Sequence, residues 1–129
     1  AGHSSYCVEG SSDVAHTWPS EYVEDFYRVQ DLTDAAATLP RTDYVQTFEV
    51  GEHLPPESAD HFVKLLTQHR PRLVFFSAAI NGTAAPMINP THVNEQPMSY
   101  WVEKFRAEGY SLDAARSAEA RGALLADKG

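Results

Sequence analysis

The run RLVFFSAA, residues 72–79, constrains the fold more than any other stretch of this chain. Leu73 to Phe76 is apolar without a break, whereas a strand with one wet face would alternate apolar and polar side chains. The run therefore reads as a parallel strand covered on both faces. Parallel neighbours cannot be joined by a tight hairpin and need a long crossover, usually a helix. Helical patterns should then lie on either side of it, and they do. After Pro55 and Pro56, the residues Ala59, Phe62, Val63 and Leu66 recur at helical spacing through about Arg70, where Pro71 stops the pattern. After Pro97, Trp101, Val102 and Phe105 mark a second helix, with Gly109 placed as its left-handed cap. Asp113 is placed to cap a third, alanine-rich helix that runs to about Ala126.

Three more segments have strand character: SYCVE (5–9), closed by Gly10, Ser11 and Ser12, DFYRVQDL (25–32), and DYVQTFEV (43–50). Strands alternating with helices give the α/β class with a mostly parallel sheet. In such sheets ligands collect at the carboxyl ends of the strands, which is where Glu9, Asp31 and residues 49–53 fall. Gln46 and Thr47 are more polar than a central strand calls for, and so point to a changed or more solvated neighbour.

A length of 129 residues fits a single domain that buries roughly two-thirds of its unfolded surface. The net charge of −8, with ten scattered Lys and Arg, argues against nucleic acid as a partner. No apolar run reaches the length of a transmembrane segment, and residues 1–30 lack the order of a signal peptide. The lone cysteine, Cys7, excludes an internal disulfide and suits a reducing compartment, so an intracellular site, cytoplasm or organelle interior, is expected. Asn81-Gly82-Thr83 fits a glycosylation sequon but reads first as a turn.

The chemistry-bearing residues cluster in TFEVGEHLPP (47–56). Glu49, Glu52 and His53 are spaced i, i+3, i+4, so on one helical turn they share a face. His92, in THVNEQ, comes from the loop after the next strand, whose carboxyl end lies beside the first. Two carboxylates and two imidazoles suit a divalent ion such as Mg²⁺, Mn²⁺ or Zn²⁺. Structural roles compete with this. Glu49 can bind a backbone amide, Glu52 can cap the next helix and His53 can pack beneath it. HVNEQP can be a helix entry in which Asn94 or Gln96 bonds exposed amides. Glu9 and Asp31 can be strand-end or turn residues. His3, His16, His61 and His69 read as surface residues, and Trp18 and Trp101 as packing anchors.

DYVQTFEVGEHLPP, its amphipathic helix, RLVFFSAA and THVNEQPMSYWVEKFRAEGY together resemble the second half of class I methyltransferases that use S-adenosylmethionine. The resemblance covers about residues 5–112 and is strongest over 43–105. It implies an incomplete Rossmann-like methyltransferase fold in which Glu9 grips the cofactor ribose, Asp31 and Leu32 flank the adenine, and Phe48 and Glu49 meet cofactor and acceptor. The Glu49, Glu52, His53 and His92 set is similar to the metal site of small-RNA 2′-O-methyltransferases, where a metal ion polarises the acceptor hydroxyl. The chain departs from the family in having no G-x-G turn and no first strand before it, and the loop 80–91 is not glycine-rich. In the family's sheet that strand lies between the second and the fourth. The resemblance therefore implies methyl transfer to an O or N acceptor of small or medium size, inactive in this chain alone unless a protein partner or a longer parent chain completes the sheet. The alternative is a non-catalytic, methyltransferase-derived accessory subunit of a larger complex, which could be organellar. An acidic module for a basic partner rests on net charge alone.

Overall fold

The computed structural model describes residues 5–11, 27–80 and 89–126, and all four expected strands are present there in shortened form. They are β1 (Cys7–Glu9), β2 (Tyr27–Val29), β3 (Tyr44–Phe48) and β4 (Leu73–Ser77). The helices are α1 (Ala59–Thr67), α2 (Met98–Ala107) and α3 (Ala114–Ala126). Trp18, His3, His16, the sequon and most of the 80–91 loop lie outside the described residues.

β1 pairs with β2, and β3 with β4, both in parallel, giving two two-stranded sheets in a mixed α/β chain. In the second pair Tyr44 stands beside Leu73 and Phe48 beside Ser77, and side chains alternate between the two faces. Val45 and Phe76 point to the face where α1 packs, joining a core of Ala59, Phe62, Val63, Leu66, Ala78 and Trp101. Trp101 is 1% exposed, which makes it the packing anchor the sequence indicated. The opposite face is open. Tyr44, Phe48 and Phe75 are 56%, 53% and 40% exposed, so the apolar run of β4 is covered on one side only among the described residues. That corrects the two-faced burial expected for it. It also accounts for Gln46, which lies on the open face, while Thr47 turns inward and is buried.

The helix ends carry local signals. α1 stops at Thr67, three residues short of the sequence reading, and Arg70 takes a left-handed φ of 55° before Pro71. The Arg70 guanidinium then donates to the Glu108 carbonyl at 2.6 Å, and Tyr110 Oη donates to the Pro71 carbonyl at 2.7 Å, tying the end of α1 to the end of α2. Gly109 has φ 83°, as a left-handed cap requires, and Asp113 Oδ1 accepts the Arg116 N–H at 3.0 Å at the start of α3. Among the described residues, no helix is long and apolar enough to cross a membrane.

Candidate functional site

The site begins where β3 runs out. Glu49 adopts a left-handed φ of 54°, a conformation uncommon outside glycine, yet its N–H still bonds the Ser77 carbonyl at 3.0 Å and so continues the ladder. Gly51–His53 then form a single 3₁₀ turn. Gly51 leads it because the turn rests on the indole: a Cβ there would stand 2.9 Å from two Trp101 ring carbons and 3.3 Å from Phe76. With the backbone held this close to the core, the next side chain, Glu52, is 0% exposed. Its own carbonyl accepts the N–H groups of Val93 at 2.9 Å and Asn94 at 3.0 Å. Two backbone bonds therefore clamp the loop before α2 onto the turn after β3, and the clamp brings His92 into place.

Glu52, His53 and His92 each offer a ligand atom within 4.8 Å of the others. Glu52 is buried, His92 half-buried and His53 exposed, so the group opens to solvent on the His53 side. The two imidazoles meet edge to face with centroids 4.7 Å apart. Neither carboxylate oxygen of Glu52 has a hydrogen-bond partner among the described residues. Burying a carboxylate without partners is costly, and a cation between the three groups is the partner this donor set can recruit. Ligands around one tetrahedral ion with bonds of roughly 2.0–2.1 Å stand about 3.3 Å apart, so small side-chain rotations close the set. Each ring is also held at Nδ1. His53 Nδ1 lies 3.2 Å from the Thr91 carbonyl and 3.0 Å from Thr91 Oγ1, while His92 Nδ1 lies 2.7 Å from Glu95 Oε1.

Glu49 does not join them. The shared face assumed for Glu49, Glu52 and His53 needs one continuous helical turn, and the turn starts only at Gly51. Left on the strand side, the Glu49 carboxylate accepts from Ser77 Oγ at 2.6 Å. The set that converges is one carboxylate and two imidazoles. The competing roles are also redistributed. Glu52, rather than His53, is the buried member, and α2 starts after its N-cap residue Pro97 without a side-chain cap bond, since Asn94 Oδ1 accepts from Gln96 Nε2 at 3.0 Å. His69 is exposed and His61 half-buried, with Nε2 of His61 lacking a partner.

Glu9 closes β1 and Asp31 follows β2, so both stand at the carboxyl end of that parallel pair. Each carboxylate also organises its own turn. Glu9 Oε1 accepts the Ser11 N–H at 3.0 Å, and Asp31 Oδ1 accepts Thr33 N–H at 2.8 Å and Thr33 Oγ1 at 2.7 Å. The Thr33 hydroxyl and amide hold the Asp31 carboxyl below its ordinary value. Leu32 packs half-buried against the core, and Phe48 is exposed at the end of β3. Cys7, the first residue of β1, is a free thiol whose pKa burial and then the Glu9 charge push up.

Sequence reasoning passed over Thr91 and Glu95, which bond the two imidazoles, and Ser77, which holds Glu49 on the strand side. The trace of Glu95 was its position three residues after His92 in THVNEQ, close enough for a side-chain contact within one loop. Compared with protein-family profiles, with curated proteins and with solved structures, the chain matches none.

Proposed function

We propose that the chain is a class I methyltransferase-like domain of incomplete Rossmann type, whose acceptor side holds one divalent metal ion through Glu52, His53 and His92. The observation that carries this reading is the meeting of Glu52 and His53, at the end of β3, with His92 from the loop beyond β4. The resemblance in sequence implies that convergence, and the parallel β3–β4 pair is the framework it needs. When bound, the ion would polarise an acceptor hydroxyl, with the methyl group coming from S-adenosylmethionine. The chain's own residues do the rest. Glu52 brings a buried carboxyl group, His53 leaves the site open to an acceptor, and the Glu49–Ser77 pair fixes the strand ends beside it. Among the described residues the turn bonds use Glu9 Oε1 and Asp31 Oδ1, which leaves the second oxygen of each carboxylate for the ribose and adenine side.

The fit to S-adenosylmethionine is partial, because no glycine-rich turn stands among the described residues to receive its methionine part. A further strand between β1 and β3, from a longer parent chain or a protein partner, would join the two sheets and supply that turn. Alone, the 129-residue chain is expected to bind S-adenosylmethionine negligibly. The second reading, an accessory subunit without catalysis, is favoured by the open aromatic face of Tyr44, Phe48 and Phe75.

Photo-crosslinking of methyl-labelled S-adenosylmethionine to the native assembly separates the two. Labelling of the assembly that is lost with a Glu9→Ala and Asp31→Ala chain supports the enzyme. A stable assembly that takes no label at all contradicts it and leaves the subunit.

A further inference from the structure

His53 and His92 are both fixed at Nδ1 by oxygen acceptors, and the identity of those acceptors sets the proton. A carbonyl only accepts, so the Thr91 contact at 3.2 Å requires a proton on His53 Nδ1. The Thr91 hydroxyl agrees: it donates to Asn89 Oδ1 at 2.7 Å, and so receives from His53 at 3.0 Å. An ionised carboxylate likewise only accepts, and the 2.7 Å contact with Glu95 puts the proton of His92 on Nδ1. In both neutral rings the lone pair is then on Nε2. Two neighbouring imidazoles set to the same tautomer, beside a buried carboxyl group with no hydrogen-bond partner among the described residues, form a preorganised set of donors.

We infer that Glu95 is a positioning residue that locks His92 in its Nδ1–H tautomer and, with Thr91 acting likewise on His53, presets Glu52, His53 and His92 for an ion of the Zn²⁺ class over Mg²⁺. This rests on the metal reading above. Two nitrogens to one oxygen is a soft set for Mg²⁺, which prefers oxygen, whereas imidazole suits Zn²⁺ and its neighbours. Carboxylates behind ligating histidines orient the ring and raise its basicity, and their loss costs about 10–100-fold in metal affinity. Glu95 is 31% exposed and bonds nothing but His92 among the described residues, which suits support of the ring better than support of the fold.

The test is calorimetric titration of the 129-residue chain with Zn²⁺ and with Mg²⁺, for wild type, Glu95→Gln and Glu103→Gln. Long-range ¹H–¹⁵N spectra of the metal-free proteins read the tautomers alongside. Glutamine keeps the shape at 95 but offers a donor and an acceptor, so it no longer dictates the proton. Glu103, paired with Arg106 on the surface of α2, controls for charge. The expected result is one Zn²⁺ site of higher affinity than any Mg²⁺ site, weakened about 10–100-fold in Glu95→Gln alone, with His92 moving to mixed tautomers. Wild-type Zn²⁺ binding that Glu95→Gln leaves intact overturns the role of Glu95 while the metal centre stands. Weakened binding with His92 still protonated at Nδ1 overturns it too. A wild-type chain that binds neither ion overturns the metal centre and this inference with it.

Discussion

Glu52 and Val93 are joined by a backbone hydrogen bond of 2.9 Å, and that bond, with its partner from Asn94, positions His92 beside Glu52. The clamp uses main-chain atoms only, so side chains at the site can be changed without releasing the loop.

Glu52→Gln should therefore raise the stability of the metal-free protein while abolishing metal binding. The substitution replaces a buried carboxyl group that has no hydrogen-bond partner among the described residues with an amide of the same shape that cannot ionise, and leaves the carbonyl that holds the loop. A gain of about 1 kcal/mol corresponds to roughly 3–5 °C in Tm for a chain of this size. Thermal unfolding in chelator checks the sign, and a lower Tm would contradict it. A residue that costs stability and serves a ligand is a familiar trade at functional sites.

Gly51→Ala should do the reverse, because the added methyl meets the Trp101 ring at 2.9 Å inside a packed core. Overpacking of this kind costs about 1–3 kcal/mol. Urea unfolding should show it, accompanied by a change in Trp101 fluorescence.

Asp60 and Lys104 join α1 to α2 at 2.6 Å. Burial works to lower the Lys104 ammonium, but the Asp60 hydrogen bond and the neighbouring Tyr100 outweigh it, and the net direction is up. A raised value in the folded state means that the contribution to stability is complete at neutral pH and is lost as pH climbs through the Lys104 titration. Asp60→Asn should bring Lys104 back down in an NMR titration, at a cost of about 1 kcal/mol or less, since Asp60 itself is 83% exposed.

Asp31 runs the other way. Its carboxyl is held low by Thr33, so the stabilisation is present above the ordinary carboxylate range and disappears as pH falls through the folded value. Thr33→Val removes the hydroxyl bond and should move the Asp31 titration upward, with the backbone bond retaining part of the shift. An unmoved Asp31 would show that the hydroxyl does not set it.

The elements were legible because their signals are local. The period of Ala59, Phe62, Val63 and Leu66, the capping role of Asp113 and the glycine at 109 each act within a few residues, and each was found where expected. The approach of His92 to His53 was legible through the order of adjacent parallel strands. Two features were not. The span of the turn after β3 depends on Gly51 fitting against Trp101, a contact between distant segments, and it decided that Glu49 would stay with Ser77. The open face of β3 and β4 depends on what covers the strands, and an apolar run such as Leu73–Phe76 carries no record of that.

The metal centre requires that Glu52, His53 and His92 bind one ion together. Crystals of the chain soaked in Zn²⁺ or Mn²⁺ and measured at the metal's absorption edge test this directly. One anomalous peak bonded at roughly 2.0–2.2 Å to a Glu52 oxygen and to a nitrogen of each histidine is the predicted result. A chain without a peak there, or with a peak on the histidines that leaves the Glu52 carboxylate unbound, would contradict it.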